Sequence, residues 1–387
     1  MLTVCEQYFE TLEKPSASVF AKMSERGISL DLHYLTDLKA VLEQKIKPIV
    51  TELKNELGDI NLNSPKQLLE ALNAKGIKPI LKGKPSTDKR AMEKFKGHHI
   101  VSSLFAYSEL STLLSNFVES YLDRNEEVVH PTFLQTGTRT GRPSCSNPNL
   151  LQIPRRSENG KLVRQMFISR EGCLFGDCDY GQIEPRLLAH LSKDKNMLTM
   201  FNDGIDFHTF TAERLGIERD KAKILNLSVG YRATYKSVSQ QLHCSWSEAQ
   251  ATINEWWLLF PGLYDWENRL IYESKKSGYC TTLIGRRIRI DELNSNNEWR
   301  REGAERQLIN NITQGSAAEV MKAAMIEVDK AGIDILVQVY DSLLIESPKD
   351  RIEDEILTTT NLMENTTKLD VPLTVTAKIG PNWGECE

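Results

Sequence analysis

The chain has 387 residues, a formal net charge of −5, 40% hydrophobic residues and 26% charged residues. This length exceeds what one simple core usually organises, so we expect two or three subdomains. No apolar run approaches the length of a membrane span, and acidic Glu6 and Glu10 interrupt any signal-peptide core. The seven cysteines are scattered and form no CxxC pair, so neither a disulfide framework nor a zinc site is indicated. This pattern favours a reducing compartment.

The first third of the chain, residues 1–130, is predicted to be mostly helical. Apolar residues recur at helical spacing over residues 34–57, which predicts a long amphipathic helix. Ser64 and Pro65 are typical of an N-cap and a first helical position. A further helix is predicted over residues 103–123.

A loop-like stretch follows from His130 to Pro154. It is rich in Gly, Pro, Ser and Asn, residues that favour turns over helices and strands. A loop this long inside a compact domain is usually functional.

Residues 172–194 combine a short apolar run with an amphipathic helical pattern, and Asp179 lies at their junction. The run predicts a strand, and Ile183, Leu187 and Leu188 predict the buried face of the helix. A carboxylate held there on rigid elements is a typical ligand for a divalent metal. The alternative is that Asp179 is only an N-cap.

The segment 219–231 places Arg219, Lys223, Leu227 and Tyr231 four residues apart. On one helix they would form a single stripe with cations at one end and an aromatic ring at the other. A nucleotide has the same polarity, from triphosphate to base. A surface helix with spaced charges is the alternative.

Two later segments carry polar residues in positions that suggest function. A helix is predicted over residues 305–319, with Arg306, Asn310 and Gln314 on one face. Residues 334–348 are predicted to form two apolar strands around a tight turn at Asp341-Ser342. Turn chemistry alone would also explain that Asp-Ser pair.

Basic residues are clustered although the net charge is negative. The clusters fall at residues 82–90, which we expect to form a polar loop, and at 155–164, 286–289 and 300–306. Local positive potential is sufficient to follow a phosphate backbone. Each cluster taken alone is equally consistent with a solvated surface patch.

The run Asp179-Tyr-Gly-Gln-Ile-Glu-Pro-Arg186 resembles the first catalytic motif of the family A DNA polymerases, the bacterial polymerase I type. Segments 140–154, 219–231, 278–287 and 340–342 resemble further motifs of that family in the family's order. The resemblance implies an α+β fold of right-hand architecture, with an antiparallel-sheet palm, helical fingers and a helical thumb. The implied divisions are a thumb at 1–130 whose N-terminal part packs on the palm, palm at 131–189 and 310–387, and fingers at 190–309.

The resemblance also implies roles for individual residues. Asp179, Asp341 and Lys223 would be catalytic, and two Mg²⁺ ions, replaceable by Mn²⁺, would be held by Asp179, Tyr180 and Asp341. The incoming dNTP would contact Arg219, Lys223, Leu227, His208, Gln182, Glu184 and Tyr231. Of these, Glu184 would act as the steric gate against ribose. Primer–template DNA would contact Arg142, Asn149, Gln152, Arg306, Asn310, Gln314, Tyr340, Arg286 and Arg287.

The resemblance predicts template-directed DNA synthesis by a monomer in the cytoplasm of a bacterial or phage-infected cell, with organellar origin also open, in replication or repair. No stretch is left for an exonuclease or 5′ nuclease domain, so the chain is expected to be a polymerase that does not proofread or an excised fragment. Leu151, Leu227, Tyr340 and Ser342 depart from the family pattern. They leave an inactive duplex-binding relic as one alternative. A single-subunit RNA polymerase is another, which Glu184 argues against.

Overall fold

The computed structural model describes residues 3–155 and 157–386. Its α-helices in chain order are α1 (Val4–Tyr8), α2 (Lys14–Arg26), α3 (Leu32–Leu57), α4 (Pro65–Ala74), α5 (Lys89–Met92), α6 (His99–Leu113), α7 (Ser120–Arg124), α8 (Glu158–Arg164), α9 (Ile183–Ser192), α10 (Lys195–Asn202), α11 (Phe207–Leu215), α12 (Arg219–Val229), α13 (Tyr235–Leu242), α14 (Trp246–Leu259), α15 (Pro261–Ser277), α16 (Glu298–Lys330) and α17 (Ile352–Asn365).

The strands are β1 (Ile28–Leu30), β2 (Ile80–Leu81), β3 (Lys84–Pro85), β4 (Val128–Val129), β5 (Thr132–Leu134), β6 (Ser144–Ser146), β7 (Phe167–Ile168), β8 (Cys173–Tyr180), β9 (Tyr279–Thr281), β10 (Arg287–Arg289), β11 (Asp334–Val339), β12 (Ser342–Pro348) and β13 (Val375–Gly380). The main sheet has four strands in the order β11-β12-β8-β13, and all neighbours are antiparallel. The mixture of helices with an antiparallel sheet is the α+β class that the sequence predicts.

One face of the central strand β8 is packed against α17. A Cβ added to Gly176 would come within 2.7 Å of the Ile356 side chain, so this position needs a residue without a side chain. The Tyr180 hydroxyl donates to the Met363 carbonyl from the same face. Side chains alternate along a strand, so Asp177 and Asp179 share the opposite face.

Buried hydrophobic side chains form three clusters. The first joins the N-terminal helices to the main sheet, the second fills the segment from Leu188 to Ile312, and the third lies between Leu53 and Leu104. Within α9, Leu187 belongs to the first cluster and Leu188 to the second. Helix α16 contributes buried residues to both clusters without a break. The division into thumb, palm and fingers at the residues named above stays a prediction.

Local predictions are largely confirmed, with shifts at the ends of elements. The helix predicted over 34–57 is α3, and Ser64 is the N-cap of α4. The helix predicted over 103–123 begins earlier, at His99, and continues through a π-helical turn at Leu114–Glu119 into α7. Residues 82–90 are not a plain loop, because they contain β3 and the start of α5. Within residues 3–155 and 157–386, no helix combines the length and apolar character that crossing a membrane requires.

Candidate active site

The β8–β12 pairing brings Asp179 and Asp341 together. Ser342 lies directly opposite Asp179 in the antiparallel register, and the Tyr180 N–H donates to the Asp341 carbonyl at 3.0 Å. The turn between β11 and β12 consists of Tyr340 and Asp341, with Tyr340 in the left-handed region at φ +54°. The predicted turn at Asp341-Ser342 is therefore wrong by one residue, because Ser342 already begins β12.

Asp179 is not an N-cap, which removes the simpler interpretation of this residue. It is the penultimate residue of β8, and the N-cap of α9 is Gln182. Its Oδ2 accepts a hydrogen bond from Arg155 Nη2 at 2.9 Å, and its side chain keeps 24% of its exposure. A cation within the protein thus already lies against this carboxylate.

Negative charge is concentrated around this pair. Burial, and then the charge of Asp179, raises the pKa of Asp341 to about 6. Asp177 lies two residues before Asp179 on the same face of β8 and is only 4% exposed. Burial, and then Asp179, raises the pKa of Asp177 to about 7, and its Oδ1 has no hydrogen-bond partner among the described residues.

This arrangement suits Mg²⁺ better than a metal that needs a complete protein cage. Among the described residues no group of three or more His, Cys, Asp or Glu side chains is placed to hold a metal. Mg²⁺ typically keeps several waters and binds through one or two carboxylates together with substrate phosphates. The pair Asp179 and Asp341 fits that requirement.

Tyr180 cannot contribute its side chain to such a site. Its ring is buried on the α17 face of β8, and its hydroxyl is hydrogen-bonded to Met363. Burial, and then the charge of Glu364, raises the pKa of this phenol above its usual range. Any metal contact at this position must come from the main-chain carbonyl.

A cavity of about 940 Å³ opens between the sheet and helices α9, α11 and α12. Asp341 lines it directly, whereas Asp179 adjoins it through its contact with Arg155, which is a lining residue. Its lining includes these residues that the sequence singled out: Arg142, Gln152, Gln182, Glu184, His208, Leu227, Tyr231, Tyr340 and Asp341. Residues that are up to 199 positions apart (341 − 142) therefore face one space.

Glu184 stands at the centre of a polar contact across this cavity. Its Oε1 accepts from Arg142 Nη2 at 2.5 Å, and its Oε2 accepts from the Tyr231 hydroxyl. Tyr231 does not lie on α12, because that helix ends at Val229, so the predicted four-residue helical stripe is wrong at its aromatic end. Tyr231 reaches the cavity from the following turn instead.

The cations of α12 differ in their surroundings. Arg219 contacts Asp206 at 3.1 Å, and Gln182 Nε2 donates to the other oxygen of Asp206 at 2.7 Å. Lys223 is exposed and forms no ion pair within residues 3–155 and 157–386. Leu227, one turn later, is 54% exposed. Lys223 is therefore the cation of this helix that is already available to an anion.

The residues expected to contact DNA are distributed over several surfaces. Asn149 and Gln314 line an adjoining cavity of about 320 Å³ that shares Arg142, Gln152 and Tyr340 with the first. Arg306 and Asn310 line another of about 1080 Å³ on the far side of Leu227 and Tyr231.

Arg286 and Arg287 line none of these three cavities. The Arg286 guanidinium donates to the Arg139 carbonyl at 3.3 Å and lies against Gly141. The Arg287 guanidinium is 4.7 Å from the centre of the Tyr279 ring. The structure does not bring these two predicted DNA contacts to the cavity.

Sequence reasoning missed Arg155, Asp177, Asp206 and Asn226. Asp177 had a usable signal, because a carboxylate two residues before Asp179 on a strand must share its face. Asn226 had a weaker one, since it falls three residues after Lys223 on the predicted helix. Arg155 was noted only as part of the basic cluster at 155–164, because its partner Asp179 is 24 residues away in the chain. Asp206 gave no signal, because its partner Arg219 is 13 residues away.

Comparison with known proteins identifies relatives along almost the whole chain. The model of DNA polymerase family A matches residues 32–385. The thermostable DNA polymerase I of Thermus filiformis is 37% identical over 98% of this chain and 48% of its own length. The corresponding enzyme of Thermus aquaticus is 36% identical over 97% of this chain and 48% of its own. The chain thus spans about half the length of these relatives.

A solved structure is similar over nearly the same extent. It is described as the POL domain of Pol1 from M. smegmatis in complex with DNA primer-template and dNTP. The similarity has a TM-score of 0.91 and 33% sequence identity, and covers 97% of this chain and 70% of the other.

Proposed function

The chain belongs to DNA polymerase family A, and we infer that it catalyses template-directed DNA synthesis, adding dNTPs to a primer 3′-hydroxyl with release of pyrophosphate. Its relatives are named DNA polymerases, and the solved neighbour is a complex with primer-template and dNTP. Both favour this activity over the RNA polymerase alternative.

The proposal rests on the proximity of Asp179 and Asp341. They are 162 residues apart (341 − 179), yet the β8–β12 register places them at adjacent strand ends beside a cavity of about 940 Å³. A structural role would not require two carboxylates to repel each other there, because such a pair costs stability without a cation. The arrangement supports a catalytic centre that works with a divalent cation.

Asp179, Asp341 and the Tyr180 carbonyl would hold the metal, proposed to be two Mg²⁺ ions replaceable by Mn²⁺. When bound, these ions lower the pKa of the attacking hydroxyl and neutralise the charge of the triphosphate and the leaving pyrophosphate, as two-metal sites do in polymerases generally. The guanidinium of Arg155 offsets part of the charge of Asp179. Lys223 and Arg219 supply positive charge for the phosphate oxygens.

Glu184 is proposed to select deoxyribose. Its two carboxylate oxygens are fixed by Arg142 and Tyr231, so the side chain is held in one position rather than left to rotate. A fixed group occupying the space of a 2′-hydroxyl disfavours a ribonucleotide through a clash that it cannot relieve by moving. The same contacts connect α9 to the loop before β6 and to the turn after α12.

The proposed partners are a primer–template duplex and dNTPs, bound by a monomer. The cytoplasm of a bacterial or phage-infected cell is the proposed setting, because the relatives described above are bacterial polymerases. Replication and repair are both compatible with this activity.

Primer extension with Mg²⁺, offering dNTPs and rNTPs separately, tests the proposal. We expect dNTP-dependent extension by the wild type. Asp179→Ala and Asp341→Ala should each lower the rate by about three orders of magnitude or more, because each removes a metal ligand. Asp350→Ala, an exposed acidic residue just after β12, is the matched control and should extend normally.

Each alternative has its own outcome in the same experiment. Preferential use of rNTPs would favour the RNA polymerase alternative. Duplex binding without extension, measured by fluorescence anisotropy, would identify an inactive relic. Near-normal extension by either aspartate variant would show that the catalytic centre is elsewhere.

A further inference from the structure

The buried amide of Asn226 on α12 makes four hydrogen bonds to residues of α11 and α14. Its Oδ1 accepts from Trp256 Nε1 at 2.7 Å and from Thr211 Oγ1 at 3.0 Å. Its Nδ2 donates to the Phe207 carbonyl at 3.1 Å and lies 3.1 Å from His208 Nδ1. Asn226 is 4% exposed, so water does not compete for these bonds.

The orientation of this amide is fixed by its partners. The Trp256 indole N–H can only donate, so the atom facing it must be the amide oxygen. The Phe207 carbonyl can only accept, so the atom facing it must be the amide nitrogen. Exchanging the two atoms would create two repulsive contacts in a buried site, and the assignment therefore has one solution.

This orientation determines the protonation of His208. The remaining N–H of Asn226 points at His208 Nδ1, which must accept and therefore carries no proton. Burial lowers the pKa of His208, so the imidazole is neutral at pH 8. A neutral imidazole with a bare Nδ1 has its proton on Nε2.

His208 Nε2 is left facing the cavity. His208 is among the lining residues, its Nδ1 is turned to Asn226, and its Nε2 makes no hydrogen bond to any described residue. With the proton on Nε2, the cavity receives an N–H donor. With the opposite tautomer it would receive a lone pair, which repels anionic oxygens.

We propose that Asn226 is a positioning residue that locks His208 in the Nε2–H tautomer, so that His208 donates a hydrogen bond to a phosphate oxygen of the incoming nucleotide. The identity of that anion rests on the proposed function. The tautomer itself rests only on the four hydrogen bonds of Asn226.

The tautomer is read directly by long-range ¹H–¹⁵N correlation of the full chain labelled with ¹⁵N-histidine, at pH 8. Comparison with His208→Gln identifies the signals of His208 among the seven histidines. In the wild type we expect a bare, pyridine-type Nδ1 and a protonated Nε2. A protonated Nδ1 in the wild type would overturn the proposal.

Asn226→Asp reverses the contact with little change in volume. The carboxylate still accepts from Trp256 and Thr211, loses the hydrogen bond to the Phe207 carbonyl, and now accepts from His208, so Nδ1 should gain a proton. Thr211→Val is the matched control, because it removes a hydrogen bond to the same Oδ1 and leaves the His208 side intact. It should lower stability without changing the tautomer, and an Asp variant that leaves Nδ1 bare would overturn the proposal.

Kinetics separate positioning from a general loss of structure. His208→Ala removes a hydrogen bond to a charged group and should raise the dNTP KM about tenfold or more. If Asn226 acts through His208, Asn226→Ala should raise KM by less, and the double variant should equal His208→Ala alone. Additive losses would show that Asn226 acts independently of the imidazole.

The two proposals fail in different ways. A wild type that extends no primer while showing the expected tautomer contradicts the proposed function but not the proposal that Asn226 fixes the tautomer of His208. A wild type that extends primers with Nδ1 protonated contradicts the lock alone.

Discussion

Glu267 on α15 should make the stability of the protein fall as pH rises above about 5. Its side chain is fully buried, and neither carboxylate oxygen has a hydrogen-bond partner among the described residues. Arg232 Nη1 approaches it to 3.4 Å without hydrogen-bond geometry. Burial outweighs this cation and raises the pKa of Glu267 to about 8.

The direction of this change in stability with pH follows from the number of protons that Glu267 binds in the folded and unfolded states. Between an unfolded pKa of 4.5 and a folded pKa of about 8, the unfolded chain loses the proton and the folded chain keeps it. Each pH unit in that interval then lowers the free energy of unfolding by about 1.4 kcal/mol. The whole interval gives an upper limit of about 5 kcal/mol, and we expect roughly 3–5 kcal/mol.

Glu267→Gln replaces the protonated acid by a neutral amide of the same shape. Urea unfolding of the metal-free protein, followed by tryptophan fluorescence from pH 5 to 8.5, should show equal stability of the two proteins at pH 5. At pH 8 the Gln variant should be more stable by roughly 3 kcal/mol or more. Glu273→Gln, exposed on the same helix, is the control and should follow the wild type.

The comparison between variants isolates Glu267 from other buried acids. Asp177 and Asp341 also have raised pKa values and contribute the same direction of pH dependence to every protein in the series. Parallel curves for wild type and Glu267→Gln would refute the reasoning, because they would mean that Arg232 keeps Glu267 ionised in the folded state.

Three further predictions concern the cavity and the duplex. Glu184→Ala should admit ribonucleotides, whereas Glu184→Gln, which keeps the size of the side chain, should not. Competition between dNTPs and rNTPs in primer extension measures this preference. An unchanged preference in the Ala variant would show that Glu184 is not the steric gate. Affinity for the duplex should fall as salt rises, with a slope of log K against log salt concentration of about −0.9 per phosphate contacted. A flat response in fluorescence anisotropy titrations would show that the basic clusters at 82–90 and 286–289 do not contact DNA. Leu227→Tyr should lower the dNTP KM about fivefold, through a gain of about 1 kcal/mol in base stacking, and should also increase dideoxynucleotide use. Leu227→Phe should lower KM without the second effect. Steady-state primer extension measures both, and no change in KM with either aromatic residue would mean that another group already supplies this contact.

Several features of this protein followed from the sequence alone. The apolar run before Asp179 and the periodicity after it predicted β8 and α9, because period and turn chemistry are local properties. The motif order predicted the family and named both aspartates that β8 and β12 bring together. The resemblance was needed for this step, because residue type alone also allowed an N-cap at Asp179 and turn chemistry at Asp341.

The tertiary structure decided which of these residues act together. Tyr231 contacts Glu184 from the turn after α12, which ends at Val229, whereas the four-residue spacing predicted a position on the helix. Asp177 became an acid with a raised pKa through burial beside Asp179. The orientation of Asn226 depends on Trp256, 30 residues later in the chain. Burial and hydrogen bonding between distant segments set charge and tautomer, and they exist only once those segments have packed.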